Sequence, residues 1–528
     1  MTSRQAAERP ILFVGQAIHT MDPRTPHATA VAVTGERIAA IGGDELRDRF
    51  MDAEVVDLGH RPLLPGFVDA HNHLSLAALL PRFADLSQAD SVAAIGTGLC
   101  DQAAREPAAP WVRGSGWERR TSVPLDRHDL DALALDRPIL VEHFSLHQAV
   151  VCSRGLQELG IDHSTPDPAG GRIERDPEGR PTGLLVETAW GWAQDRALAG
   201  YTHPDRWGEL IRQRITELLR QGITAVHDAA CPPEAEAVYR RLRDTGQLDL
   251  SVLAMPHPRI FMGELDRERL AGPPTGHGDE VLRVGAVKLF ADGGAHPDMH
   301  GCIAGEQHRY GLPASPITEQ ARFAADAGFT VAIHAMGNGG MQRALDAIEV
   351  VRDAVGADGI ARVEHATLLS DDQLQRLRQL DATAVVQPGF RDTLGRNVAD
   401  LRFDDLHWMP FGRLLERGIA LAGSSDHPCS PSPPLTTSIV ATDTPSSPTH
   451  LPGEQLTYHA WLEAWTRGAA YAGDQTHERG RLAAGLTADL IVLDGSLDPE
   501  HPPQVAQTWV RGRLVHQDAP AARRADVS

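Results

Sequence analysis

Lysine is almost missing from this chain of 528 residues. Of its 50 basic residues, one is a lysine, Lys288, and the remainder are arginines. Arginine stays charged, whereas lysine carries a primary amine that can lose its proton and become a nucleophile. The composition alone leaves two interpretations open, namely chance survival in an arginine-rich chain or a chemical requirement for an amine at this position.

Cysteine is also scarce, and its spacing is uninformative. The chain has 5 cysteines, an odd number, and no CxxC pair. This pattern argues against a disulfide framework and against a thiolate zinc site. We therefore expect small buried thiols in a reducing, cytoplasmic environment.

Long apolar runs and an excess of positive charge are absent as well. No run of 18 apolar residues occurs, so no transmembrane helix is expected, and the first residues lack the pattern of a secretory signal. The formal net charge is −21, which would repel nucleic acid and anionic membranes. Neither is therefore expected as a partner. The hydrophobic fraction of 42% is typical of a globular protein.

Short strand patterns stand at both ends of the chain. In each of them, apolar and polar residues alternate between turn signals. Because chain termini often lie close together, we expect residues 1–64 and 477–528 to form one small composite β domain.

Strand and helix patterns alternate through the region between, 65–476. Eight β/α repeats predict an α/β fold, a closed (β/α)₈ TIM barrel with a parallel sheet. Roughly 150 residues separate the first two strands, which is too long for one crossover. We therefore expect an inserted α+β subdomain at about 85–205. The predicted strands are 64–70, 222–227, 248–255, 284–290, 330–336, 362–365, 383–387 and 419–424.

Side chains that can bind metal follow several of these strands. His71 and His73 end the first strand, and residues i and i+2 of a strand point to one face, so both imidazoles can reach one ion. Any single histidine among 25 is a weak signal. The strength of the pattern lies in its repetition at the carboxyl ends of strands, where barrel active sites lie. The other members are Lys288, His334, His365 and Asp426.

These residues, with the phrases around them, resemble the metal-dependent amidohydrolase superfamily. More specifically, these sequence motifs are similar to those of its YtcJ-like branch, which includes N-substituted formamide deformylases. The resemblance extends from residue 65 to 494 and implies a barrel with a small β-sandwich built from both termini. The matching phrases are PGFVDAHNH, WVRGSGW, GGRIERDPEGRPTGLLVE, GITAVHDAA, VKLFADGG, IHAMGNGG, VEHA, GSSDHP and GRLAAGLTADLIVLD.

The resemblance implies a binuclear metal site. His71, His73 and Asp426 would hold one divalent ion, His334 and His365 the other, and Lys288, carboxylated on its amine, would bridge both. Imidazole and carboxylate ligands suit zinc, although iron and manganese also fit.

The expected reaction is hydrolysis of a non-peptide C–N bond in a small-molecule amide or formamide. A hydroxide that bridges the metals would attack the carbonyl, and Asp426, as general base, would pass the proton to the leaving nitrogen. The resemblance also implies a homodimer.

Several further residues are candidate substrate contacts. His147 lies where this branch tends to place a substrate-contacting histidine, although a structural role is equally open. Trp117, from the same insert, could line the pocket, although a place in the core is the commoner role of a tryptophan. Asp228 and Asp292 follow strands, although aspartates often cap turns. Two departures from the family pattern are expected at the pocket mouth: Asn338 stands where an acid is usual, and His427 where an aromatic residue is common.

Three other functions remain open at this stage. A metal-free lyase could use Lys288 as a Schiff-base nucleophile, but such an enzyme needs no cluster of histidines. A deaminase with one metal would usually not need the lysine. A non-enzymatic binding protein is disfavoured because every expected ligand position is filled.

Overall fold

The computed structural model describes residues 9–118, 122–258, 260–313, 317–355, 359–394, 403–442 and 455–518. Within these ranges the strands, labelled β1 to β27 in chain order, are Ile11–His19, His27–Thr34, Arg37–Gly42, Glu54–Gly59, Leu63–Pro65, Phe67–Asn72, Ala84–Asp85, Val112–Trp117, Ile139–His143, Gln148–Val151, Gly171–Arg175, Pro181–Glu187, Ile223–Cys231, Ser251–Pro256, Leu282–Val284, Val287–Phe290, Met299–Ile303, Glu306–Tyr310, Val331–Ala335, Arg362–His365, Leu368–Leu369, Thr383–Val386, His407–Trp408, Leu421–Gly423, Leu490–Leu493, Val505–Val510 and Arg513–Gln517.

The described helices alternate with these strands through most of the chain. The α-helices are Glu45–Arg49, Leu74–Ala77, Val92–Arg105, Arg127–Asp131, Ser153–Leu159, Thr188–Leu198, Pro204–Arg220, Pro233–Asp244, Arg267–Leu270, Thr318–Asp326, Asn338–Val355, Asp371–Gln379, Phe390–Thr393, Phe411–Glu416, Pro434–Thr437, Tyr458–Glu463 and Ala469–Ala472. Two 3₁₀ turns, Leu80–Arg82 and Ile439–Ala441, and one π turn, Ala464–Gly468, complete the set.

Strands from both ends of the chain share one sheet. Its order is β27-β26-β25-β5-β1-β2-β3, and β4 pairs with β1. The antiparallel pairing of β5 with β25 sets Leu64 opposite Ile491. Phe13 and Trp509, from opposite ends of the sequence, pack edge to face with ring centroids 5.1 Å apart. The two termini therefore share one apolar core.

A second sheet lies within the predicted insert. Its order is β11-β12-β10-β9-β8-β7, with parallel and antiparallel pairs, and helices Val92–Arg105 and Ser153–Leu159 connect its strands. Leu86, Leu99, Val112 and Val141 form part of its buried core. This region has the mixed α and β content that the sequence predicts.

Two parallel sheets carry the strands that precede the predicted site residues. One has the order β15-β14-β13-β6 and the other β16-β19-β20-β22-β24. Every predicted strand segment contains a strand, so the α/β class is confirmed. The strands, however, pair in two sheets rather than one. At the boundaries, β14 contacts β16 and β24 contacts β6.

One predicted strand, 284–290, is split between those two sheets. The break falls at Gly285, whose N–H bonds to the carbonyl of Ala254 at 2.7 Å. A Cβ there would lie 3.0 Å from Leu253 and Met255, so the crowded backbone favours glycine. The chain then continues as β16, which carries Lys288.

The helices bury one face each against this framework. Pro204–Arg220 shows the pattern clearly, because its buried residues Trp207, Ile211, Ile215 and Leu218 recur at helical spacing. In the part of the chain that the structure describes, no helix is long and apolar enough to cross a bilayer.

Candidate metal centre

The carboxyl end of β6 presents two histidines to one carboxylate. His73 Nε2 lies 2.9 Å from Oδ1 of Asp426, and His71 Nε2 lies 3.3 Å from the same oxygen. Backbone hydrogen bonds hold this arrangement, because the Asp426 N–H donates to the His71 carbonyl at 2.7 Å and the His73 N–H to the His427 carbonyl at 3.1 Å. Among the described residues, His71, His73 and Asp426 are the one group of three that could hold an ion.

Polar atoms at this point are buried without hydrogen-bond partners. Nε2 of His71, Nε2 of His334 and Oδ1 of Asp426 make no hydrogen bond of acceptable geometry within the described ranges. An unpaired buried polar atom is costly, and a cation bound beside His71 and Asp426 would satisfy both of their unpaired atoms. Burial raises the pKa of the Asp426 carboxyl, but His71 and His73 outweigh this effect and hold the pKa well below its usual range.

His334 and His365 approach the same centre from β19 and β20. Their ring centroids lie 4.5 Å apart, and that of His365 lies 4.9 Å from His71. Burial lowers the pKa of His365 to about 3 and that of His334 well below its ordinary value. Both rings are therefore neutral, the form that binds metal. Nδ1 of His365 lies 2.9 Å from Oε1 of Gln387, which fixes the ring.

Lys288 is 1% exposed and lies in the middle of β16. Burial lowers the pKa of its ammonium to about 8, against the opposing charges of Glu364 and Asp426. Nζ lies 4.9 Å from the centroid of the Phe290 ring. A buried amine with this pKa is partly neutral near pH 7, and the neutral amine is the form that reacts with carbon dioxide.

Supporting residues that the sequence analysis missed hold the histidines in place. Glu364 accepts a hydrogen bond from the His71 ring at 2.5 Å, and Arg362 Nε donates to the same carboxylate at 2.6 Å. Asp69 accepts from the N–H of Ser425 at 2.9 Å and from its hydroxyl at 2.5 Å, which fixes the residue before Asp426. The available signals were an acid two residues before the first histidine and another beside the last.

The structure brings His147 from the insert to the centre. Its ring centroid lies 5.1 Å from that of His334.

Asp292 accepts backbone N–H groups of Met336, Gly337 and Asp298 at 2.9, 2.7 and 3.2 Å. These bonds are typical of an aspartate that holds a loop, and its substrate contact stays a prediction.

Two other candidates lie in buried structural positions. Trp117 packs in the core of the insert, and its Nε1 donates to the Val123 carbonyl at 2.9 Å. This position does not support the predicted substrate contact, because the only polar atom of the side chain is already bonded. Asp228 is fully buried and accepts a hydrogen bond from the Tyr239 hydroxyl at 2.8 Å.

The two departures from the family pattern have different surroundings. Asn338 forms a pair with the backbone of His300, accepting its N–H at 2.9 Å and donating to its carbonyl at 2.7 Å. A carboxylate could not donate the second bond. The two bonds to His300, in the hairpin β17–β18, therefore explain why an amide stands at position 338. His427 lines a cavity of about 370 Å³ with Phe144 and Leu146.

A further histidine, His257, follows β14 and was missed. It is 5% exposed, and its Nε2 has no hydrogen-bond partner among the residues described. Together with the predicted ligand His73 it lines a cavity of about 200 Å³, whose other walls include Leu76, Trp190 and Phe261. Its sequence signal was its place after the third predicted strand.

Known proteins match almost the whole chain. The chain is 32% identical to the N-substituted formamide deformylase of Arthrobacter pascens, over 96% of this chain and 98% of the relative. It is 28% identical to the putative amidohydrolase YtcJ of Bacillus subtilis (strain 168), over 96% and 99%. An uncharacterised metal-dependent hydrolase from Pyrococcus furiosus shares the fold, with a TM-score of 0.70 at 24% identity over 93% of this chain and 100% of that chain. Residues 54–516 match the Amidohydrolase family model. The chain therefore belongs to the Amidohydrolase family and is an enzyme that acts on carbon–nitrogen bonds.

Proposed function

We propose that this enzyme hydrolyses the C–N bond of a small-molecule amide or formamide with two divalent metal ions, zinc being the metal that suits its ligands. One observation carries the proposal: buried imidazoles and a carboxylate converge with polar atoms left unpaired. The relative from Arthrobacter pascens supports formamides as the substrate class.

The residues present fit a binuclear site. His71, His73 and Asp426 would hold one ion, and His334 and His365 the other. Burial lowers the pKa of His73, His334 and His365, which favours the neutral imidazole that binds metal. The carboxylated amine of Lys288 would bridge them. When bound, such ions polarise a carbonyl and lower the pKa of water.

The chain's own groups would move the proton. The Asp426 carboxylate is ionised at neutral pH, because its pKa is held low, and it can accept a proton from the attacking water. It would then deliver that proton to the leaving nitrogen. His365 and Asp426 have φ of 75° and 53°, which non-glycine residues rarely adopt, and the surrounding bonds hold both.

We further propose that the two parallel sheets form one closed barrel of eight strands, in which β15 and β16 are the two parts of one strand. The contacts between β14 and β16 and between β24 and β6 support closure at both seams. In this arrangement residues 1–64 and 477–528 form the β-sandwich domain, 65–476 the barrel, and about 85–205 its insert. A homodimer in the cytoplasm remains a prediction, which sedimentation and fractionation would check.

A deaminase with one metal is the second candidate. It is favoured by the cluster of His71, His73 and Asp426, because no second group of three such side chains was found in the part of the chain that the structure describes. Metal analysis separates the two, since the proposal requires about two ions per chain. Near one ion per chain, with ammonia released from a substrate, would support the deaminase.

The test is a screen of N-formyl and N-acyl amines for metal-dependent release of the amine. We expect turnover that a chelator abolishes and that zinc, iron or manganese restores. His71→Ala and His334→Ala should lose both metal and activity. Activity in protein free of transition metals, or near wild-type activity in either variant, would overturn the proposal.

A further inference from the structure

Three sequence motifs meet beside the proposed metal site through residues that are not among its proposed ligands. His147 comes from VEHFSLHQAV, Glu187 ends GGRIERDPEGRPTGLLVE, and Gly293 and Gly294 end VKLFADGG. Glu187 is 1% exposed and has φ 53° and ψ −120°, a strained backbone conformation for a residue with a side chain. Strain of this kind persists where the surroundings hold it, often at functional sites.

Hydrogen bonds give the two carboxylate oxygens of Glu187 different roles. Oε2 lies 2.6 Å from Nδ1 of His147. Oε1 accepts the backbone N–H groups of Ala295 and His296, each at 3.0 Å. The Gly294 N–H also lies 3.1 Å from Nδ1, but the shorter bond to a carboxylate is the stronger one. We therefore assign the ring proton to Nδ1 of His147, with Oε2 of Glu187 as its acceptor.

The loop after β16 leaves no space for side chains beside this pair. A Cβ at Gly294 would lie 2.4 Å from Cδ2 and 2.6 Å from Nε2 of His147. A Cβ at Gly293 would lie 2.2 Å from Oε1 of Glu187. Because β16 carries Lys288, the same strand and loop position both the lysine and the imidazole.

The remaining ring nitrogen, Nε2 of His147, makes no hydrogen bond in the described part of the chain, and the ring centroid lies 5.1 Å from that of His334. With the proton on Nδ1, Nε2 of a neutral imidazole carries a lone pair and acts as an acceptor.

We propose that Glu187 is a positioning residue that fixes the tautomer of His147, so that Nε2 accepts the N–H of the substrate amide. This inference rests on the proposed amide hydrolysis and narrows it. The enzyme would select N-monosubstituted amides, which have an N–H, over N,N-disubstituted amides, which lack one.

Glu187→Gln separates positioning from packing. Oε1 faces two N–H donors, so the amide oxygen of glutamine takes that place and its NH₂ group faces Nδ1 of His147. That group donates, so Nδ1 must accept and the proton moves to Nε2. A purely structural role would be satisfied by glutamine, which has nearly the same volume and keeps both backbone bonds.

The first readout is nitrogen NMR of metal-loaded protein labelled with [¹⁵N]histidine, with His147→Gln used to assign the signal. We expect the proton on Nδ1 in the wild type and on Nε2 in Glu187→Gln. The same tautomer in both proteins would overturn the inference, whatever the activity.

The second readout is kcat/KM for N-butylformamide and N-butyl-N-methylformamide. We expect Glu187→Gln to lower the preference for the N–H substrate about tenfold, the effect of one hydrogen bond. Metal content should stay unchanged. Hydrolysis by the wild type with an unchanged preference in the variant would overturn the inference and leave the proposed function standing. If the wild type hydrolysed no amide probe, the proposed function and the substrate contact would both be wrong, and NMR would still decide the tautomer.

Discussion

Nδ1 of His71 lies 2.5 Å from Oε2 of Glu364, and both side chains are buried. The bond directs the other ring nitrogen, Nε2, towards Asp426. Glu364 is held in turn by Arg362, and together with His71 this arginine lowers the pKa of Glu364 well below its usual value although burial raises it. The proposed metal ligand His71 is therefore held in place by a buried ion pair, that of Glu364 with Arg362.

Glu364→Gln should weaken metal binding by about 10- to 100-fold, because an amide does not hold the imidazole as strongly as a carboxylate does. Titration with a competing chelator measures this. The matched control is Glu142→Gln, since Glu142 also lies buried beside an arginine, Arg113, at 3.4 Å. The control should lose stability but keep its metal affinity. Equal weakening in both variants would contradict the positioning role of Glu364.

Lys288→Arg should be nearly inactive, because a guanidinium stays protonated and cannot form a carbamate. Lys288→Ala should also lose activity, but it leaves space for a small carboxylate. We expect acetate or propionate to restore part of the activity of the alanine variant and none of that of the arginine variant. Near wild-type turnover in Lys288→Arg would show that the lysine is incidental. Trapping of wild-type protein by borohydride with substrate would support a Schiff base instead.

Carbamate formation in metal-free protein should follow the lowered pKa of Lys288. A neutral amine reacts with bicarbonate to give carbamate and water, so at fixed bicarbonate the carbamate signal follows the neutral fraction. Because the pKa is about 8, the ¹³C signal should rise from about pH 6.5, reach half its maximum at about pH 8 and level off above about pH 9, rather than rise towards about pH 10.5. Lys288→Met reports the contribution of the N-terminal amine. A signal that grows only above pH 10 would contradict this prediction.

Asp426→Asn should keep metal better than it keeps turnover. The amide oxygen can still bind a cation, but it cannot accept the proton of the attacking water. Loss of a general base typically lowers the rate by about 10²- to 10⁴-fold. Metal content and kcat should be measured on the same preparation. Parallel loss of both would show that Asp426 acts mainly as a ligand.

Asn338→Asp should loosen the hairpin β17–β18. The aspartate carboxylate cannot donate to the His300 carbonyl, and its negative charge would face that oxygen. We expect a loss of about 1–3 kcal/mol in local stability. Hydrogen exchange of the hairpin amides would show faster opening. Gln342→Glu, an exposed amide-to-acid change on the same helix, is the control and should leave exchange unchanged.

The sequence predicted the α/β class and the strand ends that carry the histidines, because each ligand candidate follows a short apolar strand. It did not predict the supporting roles of Glu364 and Asp69. In a sequence, an acid that becomes buried cannot be distinguished from other acids, because the residue that it bonds to lies on another strand. The substrate contact of Trp117 stays a prediction. The indole packs in the core of the insert with its N–H bonded, and the sequence does not distinguish such a core tryptophan from one that lines a pocket.

The role of Glu187 could not be predicted from the sequence, because it depends on a contact between residues far apart along the chain, the 2.6 Å between its Oε2 and Nδ1 of His147. His257 does follow a predicted strand, but its place beside His73 in one cavity appears only in three dimensions. The glycines at 293 and 294 were visible as a motif. The reason that glycine is needed there, namely the His147 ring and the Glu187 carboxylate packed against them, appears only in three dimensions.

The sheet shared by both termini sets an order of events during synthesis. β5 leads directly into β6 and the first proposed metal ligands, yet its antiparallel partner β25 lies roughly 400 residues later. At about 5–20 residues per second, a ribosome needs on the order of 20–80 s to supply it. During that interval one edge of β5 has no partner strand. The proposed metal centre therefore gains the support of β25 only after that strand has left the ribosome.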